Sequence, residues 1–446
     1  MPRQFRTGDQ SFVRELNRSI ILNQLRTGSP LSRADLAAIT GLNKTTVSSL
    51  VDELIAHGLA REIGRNTSAG GRRAVLLELA ADAGCILGVE ISVGCLNVVL
   101  TDFRAAILWR QQVQYDKSED VCRVMSKLTA LLQRAVRHLR QRNGLRLFGV
   151  GIGIPGLVDV ASGTLIFEPN MGWRDVPLRQ LIGAKLDVPV FIDNDANAAA
   201  LGERYFGAAQ DVDNFVYVVA NIGLGTGLVM GGHIFQGASG YAGEAGHTTI
   251  DPNGPLCRCG NYGCWERLAS QRALIERIQK AIQAGRHSSI EDMAKHDPGQ
   301  ITIQEIVEAA RGGDVVARRA LEETGLYLGV GIANLINTFN PSLVAFGGAL
   351  SLADEFLMPA VRQVVLERAM SGPREAAQVV VSTFKSDACV MGGVALVLHE
   401  ILSRPRLDLS LPSQSNDAPI WQGLALSTHP VGPLSWPSRS QPLLYA

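Results

Sequence analysis

The chain has 446 residues, 46% hydrophobic and 19% charged, with 42 basic side chains against 42 acidic ones. At roughly 150 residues per domain this length calls for about three compact units, and the even charge balance excludes a global pull toward nucleic acid, so any such partner must be met by a local patch. No apolar run approaches the roughly 18 residues that cross a bilayer, and MPRQFRTGDQ lacks the apolar core of a signal peptide, so a cytoplasmic chain with no membrane partner is expected.

Residues 1 to 80 supply the patch, with eleven Arg/Lys against seven Asp/Glu. Leu16, Ile20, Ile21 and Leu25 space like one helix face, and Ser32-Arg-Ala-Asp35 reads as a capping box opening a short helix that Gly41 ends. A third helix starts behind Asn43 and stops at Gly58. Its apolar stripe is Val47, Leu50, Val51 and Leu54, which leaves Lys44, Thr45, Thr46, Ser48 and Ser49 facing outward. Two short strands, LAREIG and AVLLEL, then flank a basic, glycine-rich tip running from Arg65 to Arg73. This is the element order of a winged helix-turn-helix, whose second paired helix enters the major groove while the wing reaches phosphates or the minor groove. Lys44, Thr45, Thr46, Ser48, Ser49, Arg72 and Arg73 are the expected DNA contacts. The blander alternative is a helical docking domain with a solvated arginine loop.

From about residue 82 strands alternate with helices, an α/β pattern. ILGVEIS, NVVLTDF and ILWRQQVQY look like a three-strand meander, residues 119 to 142 an amphipathic helix, and LFGVGIGIPG and VPVFIDND buried strands. A long helix follows from Asp195, then NFVYVVANIGLGTGLVMGG, a cysteine loop, several helices, the strands LVAFGG and VVVSTF, and a last helix over 388 to 402. From Arg404 onward seven prolines fall among serines with no lysine, which reads as a disordered or loosely held tail.

Cys85, Cys95, Cys122 and Cys389 lie singly in apolar surroundings, the look of reduced core thiols. Cys257, Cys259 and Cys264 instead cluster, and His247 precedes them in a loop punctuated by glycine and proline. Three thiolates and one imidazole make a soft, four-coordinate set that favours zinc, and four protein ligands leave no open position, so one structural zinc per chain is expected. A reduced loop with an unrelated histidine is the alternative. Closing that loop would draw Glu244 and Glu266 together beside the imidazole, and paired carboxylates that accept hydrogen bonds from vicinal hydroxyls suit a sugar. Asp193-Asn194-Asp195, at the end of a strand and the start of a helix near Gly153 and Gly156, sits where α/β sheets bind ligands, although a plain helix cap would look the same.

GIGIPG, FEPNMGWRDVPL, DNDANAAALGE, GYAGEAGH and CRCGNYGCWE together resemble the ROK family of sugar kinases and sugar-responsive repressors, over about residues 82 to 400. With a winged helix in front, the chain is similar to the repressor branch, such as the xylose and N-acetylglucosamine repressors. The resemblance implies an actin-like, ribonuclease H-like pair of lobes behind the DNA-binding domain of residues 1–80. The first lobe would span 81–194 and be completed by about 384–403, the second would span 195–383 with the zinc loop, and the tail would be 404–446. It implies sugar contacts from Gly156, Asn170, Asn194, Asp195, Glu244, His247 and Glu266, with His247 also a zinc ligand beside Cys257, Cys259 and Cys264. Asp195 matches the catalytic base of the kinases. Against catalysis, the kinase phosphate loop reads Asp-x-Gly-Gly-Thr-Lys, whereas this chain has Glu90-Ile-Ser92-Val93-Gly94-Cys95, and where the kinases read Gly-Thr-Gly this chain offers Asn221-Ile222-Gly223 before Leu224-Gly225-Thr226-Gly227. The expectation is a non-enzymatic repressor, released from operator DNA by a monosaccharide (xylose, glucose or a relative) and acting as a homodimer or homotetramer. An ATP-dependent sugar kinase with an appended DNA-binding domain is the alternative.

Overall fold

A computed structural model describes residues 10–65, 74–141, 145–293 and 301–403. The wing residues Arg72 and Arg73 and the Pro/Ser-rich segment 404–446 lie outside the described residues.

The N-terminal module runs α1 (Gln10–Gly28), β1 (Leu31–Ser32), α2 (Arg33–Thr40), α3 (Lys44–Ala56), β2 (Ala60–Arg65) and β3 (Val75–Leu79), with a small sheet in the order β1-β3-β2. The capping box forms: Ser32 Oγ accepts the Asp35 amide at 3.2 Å and the Asp35 carboxylate accepts the Ser32 amide at 2.9 Å. Asn43 caps α3 by accepting the Thr46 amide at 2.7 Å. Val47, Leu50, Val51 and Leu54 are fully buried. The face expected on α1 is corrected by one turn. Leu16 is 50% exposed, and Ile21, Leu22 and Leu25 do the burying, because it is the second half of the helix that has neighbours to pack on.

The next stretch is β4 (Cys85–Ser92), β5 (Cys95–Asp102), β6 (Ile107–Gln114), α4 (Val121–Arg140), β7 (Leu147–Ile154), β8 (Leu157–Asp159), β9 (Thr164–Glu168), β10 (Trp173–Val176), α5 (Leu178–Leu186) and β11 (Val190–Asn194). The meander β4-β5-β6 extends through parallel β7 and β11 into a sheet ordered β11-β7-β4-β5-β6. The antiparallel sheet β10-β9-β8 and α5 were not foreseen; strands of three to five residues are too short to display alternation.

The remaining elements are α6 (Asp195–Phe206), β12 (Phe215–Ala220), β13 (Leu224–Met230), β14 (His233–Ile234), α7 (Trp265–Ala269), α8 (Gln271–Gln283), α9 (Ser289–Met293), α10 (Ile303–Arg311), α11 (Val315–Phe339), β15 (Leu343–Gly347), α12 (Asp354–Arg368), α13 (Ser371–Ala376), β16 (Gln378–Val381) and α14 (Ala388–Ser403). The second large sheet is ordered β14-β13-β12-β15-β16.

Helix α6 packs against both large sheets, which its alanines allow. A Cβ on Gly227 of β13 would fall 2.4 Å from the Ala196 carbonyl oxygen, and one on Gly392 of α14 would fall 2.1 Å from that of Ala198. The apolar helix α14 is thus pressed among β4, β7 and α6, and α1 packs on it too. One continuous cluster of buried side chains joins Ile21, Leu22 and Leu25 to Leu201, Val394 and Leu398. Of the single cysteines, Cys85 and Cys389 are buried and Cys95 is half-buried. Cys122 is exposed, contrary to expectation, because it sits on the side of α4 away from the stripe of Val124, Leu128 and Leu131.

Candidate functional site

The junction of β11 and α6 is built by three adjacent polar residues. The Asp193 carboxylate accepts the Asn194 amide at 2.7 Å and the Asn197 side-chain NH2 at 3.0 Å, which fixes the strand-to-helix turn. Asn194 caps α6 through the Ala196 amide at 2.9 Å and donates to the Gly156 carbonyl at 3.0 Å, so the capping reading of this motif is realised and the cap is tied to the Gly156 turn. Burial pushes the Asp193 carboxyl up to about 6. Burial, with the nearby Glu244 and Glu168 charges adding to it, pushes Asp195 up to about 7.

Gly156 has φ +99°, and any Cβ there would fall 2.4 Å from the Phe167 carbonyl oxygen. Only glycine lets β8 fold back on β9, and that return places Glu168 and Asn170 beside the α6 N-terminus. Glu168 is 1% exposed and accepts from the Asn170 side-chain NH2 at 3.0 Å and from the Met171 amide. The Asn170 oxygen accepts from Arg258 at 2.9 Å and from Arg272 at 3.3 Å. Glu168, Arg258 and Arg272 were not singled out in the sequence, although a carboxylate inside the apolar run TLIFEP was a usable signal.

Across from these, residues 243–247 lie flat on β13. Thr226 Oγ1 donates to the Gly243 carbonyl at 2.7 Å, and a Cβ on Gly246 would fall 2.0 Å from the Leu224 carbonyl oxygen. The loop that follows is folded back by bridges between Thr249 and Cys264 and between Leu256 and Tyr262. His247, Cys257, Cys259 and Cys264 bring one ligand atom each to within 4.8 Å of one another. Cys257 Sγ lies 3.7 Å from His247 Nδ1 and Cys259 Sγ 3.6 Å from Cys264 Sγ, close to the edges of a tetrahedron with metal–ligand bonds of about 2.0–2.3 Å. Burial, and then the neighbouring thiols, push the Cys264 thiol up, a repulsion a bound dication would relieve. The four residues fit a metal ion.

Glu266, two residues beyond Cys264, accepts the Leu224 amide at 3.2 Å, and the missing Cβ of Gly223 makes room for its carboxylate. Glu244 is exposed over 47% of its side chain yet lies close enough to feel both Glu266 and His247; partial desolvation first, and then Glu266, raise its carboxyl. On the far side of Glu266 is an open cavity of about 380 Å³, lined among others by Ile222, Leu256, Arg258, Arg267 and Arg272. Gly156, Asn170, Asn194, Asp195, Glu244, His247 and Glu266 therefore form one chain of neighbours.

The two turns whose sequences depart from the kinase phosphate loops are each held by hydrogen bonds. Ser92 pairs with Cys95 directly, so Val93-Gly94 is a two-residue hairpin turn with Gly94 at φ +84°. Tyr115 donates its hydroxyl to the Ser92 carbonyl at 2.6 Å and its amide to the Gly94 carbonyl at 2.9 Å. Behind the turn Glu90 is half-buried, and desolvation of its carboxyl raises it to about 7. In the second turn the Asn221 side chain accepts the Ala349 amide at 2.7 Å. In the N-terminal module, Lys44, Thr45 and Ser49 are exposed while Thr46 and Ser48 are half-buried, and Ser49 accepts from Arg14 at 3.2 Å.

Comparison with known proteins agrees with this architecture. The ROK family model matches residues 86–400, and a MarR family model matches residues 15–74. The putative xylose repressor of Caldicellulosiruptor sp. (strain Rt8B.4) is 38% identical over 404 residues, covering 89% of this chain and 99% of that protein. Among solved structures, a ROK family transcriptional regulator described as a homologue of the E. coli MLC protein superposes with a TM-score of 0.74 at 30% identity, over 88% of this chain and 97% of that one. A ROK family glucokinase from Streptomyces griseus, in complex with glucose and AMPPNP, matches with a TM-score of 0.62 at 31% identity, over 70% and 99% respectively. The kinase thus aligns over nearly its full length yet leaves almost a third of this chain unmatched, whereas the regulator and the xylose repressor cover most of it. The chain belongs to the ROK family, with a winged helix ahead of its sugar-kinase-like α/β domain.

Proposed function

We propose that this protein is a sugar-responsive transcriptional repressor. The winged helix reads operator DNA through the exposed edge of α3, with Lys44, Thr45, Thr46, Ser48 and Ser49 toward the groove and Arg72 and Arg73 on the wing. A monosaccharide is held beside the N-terminus of α6, where the residues of the site meet. Its hydroxyls are held by Asn170, Asn194, Asp195, Glu244, His247 and Glu266, with the Gly156 backbone closing one wall. Zinc is the metal proposed for His247, Cys257, Cys259 and Cys264; its chemistry there is that of a cross-link, since all four positions belong to the protein. The name of the Caldicellulosiruptor relative makes xylose the first sugar to test, and glucose follows from the ligand of the Streptomyces glucokinase. A palindromic operator needs two reading heads, so the working form is a homodimer or a larger even assembly. A DNA reader works where the genome is, which makes the cytoplasm its place.

The observation that carries this reading is the gathering of Asn170, Asn194, Asp195, Glu244, His247 and Glu266 into one chain of neighbours, beside a Val93-Gly94 turn that lacks the kinase loop's threonine and lysine and is tied down by Tyr115. A duplex from the protein's own upstream region should bind at low salt and be released by D-xylose or D-glucose, read by fluorescence anisotropy. Absence of any sugar-dependent release would overturn it.

One observation favours a second reading. Asp195, with its carboxyl raised to about 7, is poised as a base for a sugar hydroxyl, as a kinase requires. That reading needs sugar-dependent ADP release from ATP and magnesium that disappears in Asp195→Asn; the repressor reading expects none from the wild-type chain.

A further inference from the structure

Helix α6 reaches from the sugar pocket to the reading head. Its first residue is Asp195, and its twelve residues make a rod of about 18 Å ending in Tyr205 and Phe206. At that far end the Tyr205 carbonyl accepts a hydrogen bond from Arg26 of α1 at 3.0 Å, and the Arg26 guanidinium lies 4.6 Å from the centre of the Tyr205 ring. The Tyr205 hydroxyl meets His399 Nδ1 of α14 at 2.9 Å, and the two rings stand edge to face. Tyr205 is 7% exposed. Arg26 is thus fastened to a residue that is itself wedged against the helix on which α1 rests.

The rod has no slack along its length. Its first turn touches the β13 backbone at Gly227, and its later turns touch α14, where a Cβ on Gly202 would fall 3.0 Å from the Gly392 nitrogen. Because α6 packs on both large sheets, a rotation of one sheet against the other when the pocket closes has to carry α6 with it or break these backbone contacts. The far end of α6 holds Arg26 of α1 through Tyr205, and α1 packs on α3, the helix proposed to face DNA.

We propose that α6 transmits sugar occupancy to the reading head and that Arg26, seated on Tyr205, is the positioning residue through which the head follows it. The proposal rests on the sugar-responsive reading above and adds the route. It predicts that the Arg26–Tyr205 contact governs the coupling between the two ligands and neither affinity taken alone.

The test compares DNA affinity with and without saturating D-xylose or D-glucose, in the full-length wild-type protein and in Arg26→Ala, Arg26→Lys and Tyr205→Phe. Wild type should show a ratio within the usual allosteric range of about 5- to 150-fold. In Arg26→Ala the ratio should fall to about 1, while sugar affinity by calorimetry and DNA affinity without sugar each stay within about threefold of wild type. Arg26→Lys, which retains a cation and a donor for the carbonyl, should recover part of the ratio. A wild-type ratio in Arg26→Ala would overturn the proposal. If Arg26→Ala no longer binds DNA at all, Arg26→Lys decides: a reduced ratio supports the route and a wild-type ratio overturns it, while Tyr205→Phe, which keeps the ring and the carbonyl that Arg26 touches, is the control expected to retain the wild-type ratio. A wild-type chain that binds DNA but ignores sugar brings down the underlying reading, and the proposal with it, before any variant is measured.

Discussion

His247 Nε2 lies 3.9 Å from a carboxylate oxygen of Glu244, while the other ring nitrogen faces the thiols. On the proposed reading metal and carbohydrate would share this one imidazole, with its orientation set from the metal side. Removing the metal by chelation, or weakening the cluster with Cys257→Ser, should lower sugar affinity by at least about tenfold, in line with what lost support around a metal site usually costs. Calorimetry run beside elemental analysis checks this, with one zinc per chain expected. Stripped protein that grips sugar unchanged would show the cluster to be irrelevant to the pocket.

Stability should fall as pH rises between about 4 and 7. Burial raises Asp195 and Glu90 to about 7 and Asp193 to about 6, so across that window the folded chain retains protons that the unfolded chain has released. Asp195→Asn removes one of these groups and should melt no lower than wild type at pH 8 without ligand, while losing the sugar-induced rise in Tm. Sugar hydroxyls donating to Asp195 favour its charged form, so sugar binding at pH 6 should release protons and tighten toward pH 8. Identical binding heats in buffers of different ionisation enthalpy would contradict this.

The head offers a contrast between folding and reading. Leu50→Ala, at a fully buried position, should cost about 2–5 kcal/mol and abolish DNA binding through loss of the head. Thr45→Ala and Lys44→Ala, at exposed positions, should leave the melting curve in place. Lys44→Ala should reduce the salt dependence of DNA affinity by about one ion. Equal salt slopes would remove Lys44 from the phosphate contacts.

Gly151→Ala should be damaging and Gly372→Ala harmless. The first Cβ would fall 1.8 Å from the Gly393 carbonyl oxygen, so a strand and α14 must separate, at a cost of about 1–3 kcal/mol or more. The second meets nothing within 4 Å and should leave stability unchanged or raise it by up to about 1 kcal/mol. Thermal melts of the two variants settle the comparison.

The helices, the large-sheet strands and the metal cluster could be read from the chain because each is a local pattern: Val47 to Leu54 at helical spacing, Ser32 with Asp35, three cysteines within eight residues. What escaped is set by distant partners. Leu16 carries the period of α1 but finds nothing to pack on, and Cys122 is apolar in context yet falls on the outer side of its helix. Glu168, Arg258 and Arg272 converge on Asn170 from sequence distances of up to 102 residues, a meeting that follows from the return of β8 on β9 and from the cysteine loop. The junction of Arg26 with Tyr205, 179 residues apart, has no local signature at all.

The placement of α14 dictates the order in which the molecule can be completed during synthesis. The winged helix is made of near neighbours and can form as soon as residues 10–79 have emerged, but the surface that α1 sits on is residues 388–403. A nascent chain thus carries a folded head on an unfinished base until the last helix is made. Ribosomes that stop early leave fragments that could occupy DNA without answering to carbohydrate, which makes translation through Ser403 a condition for release as well as for stability.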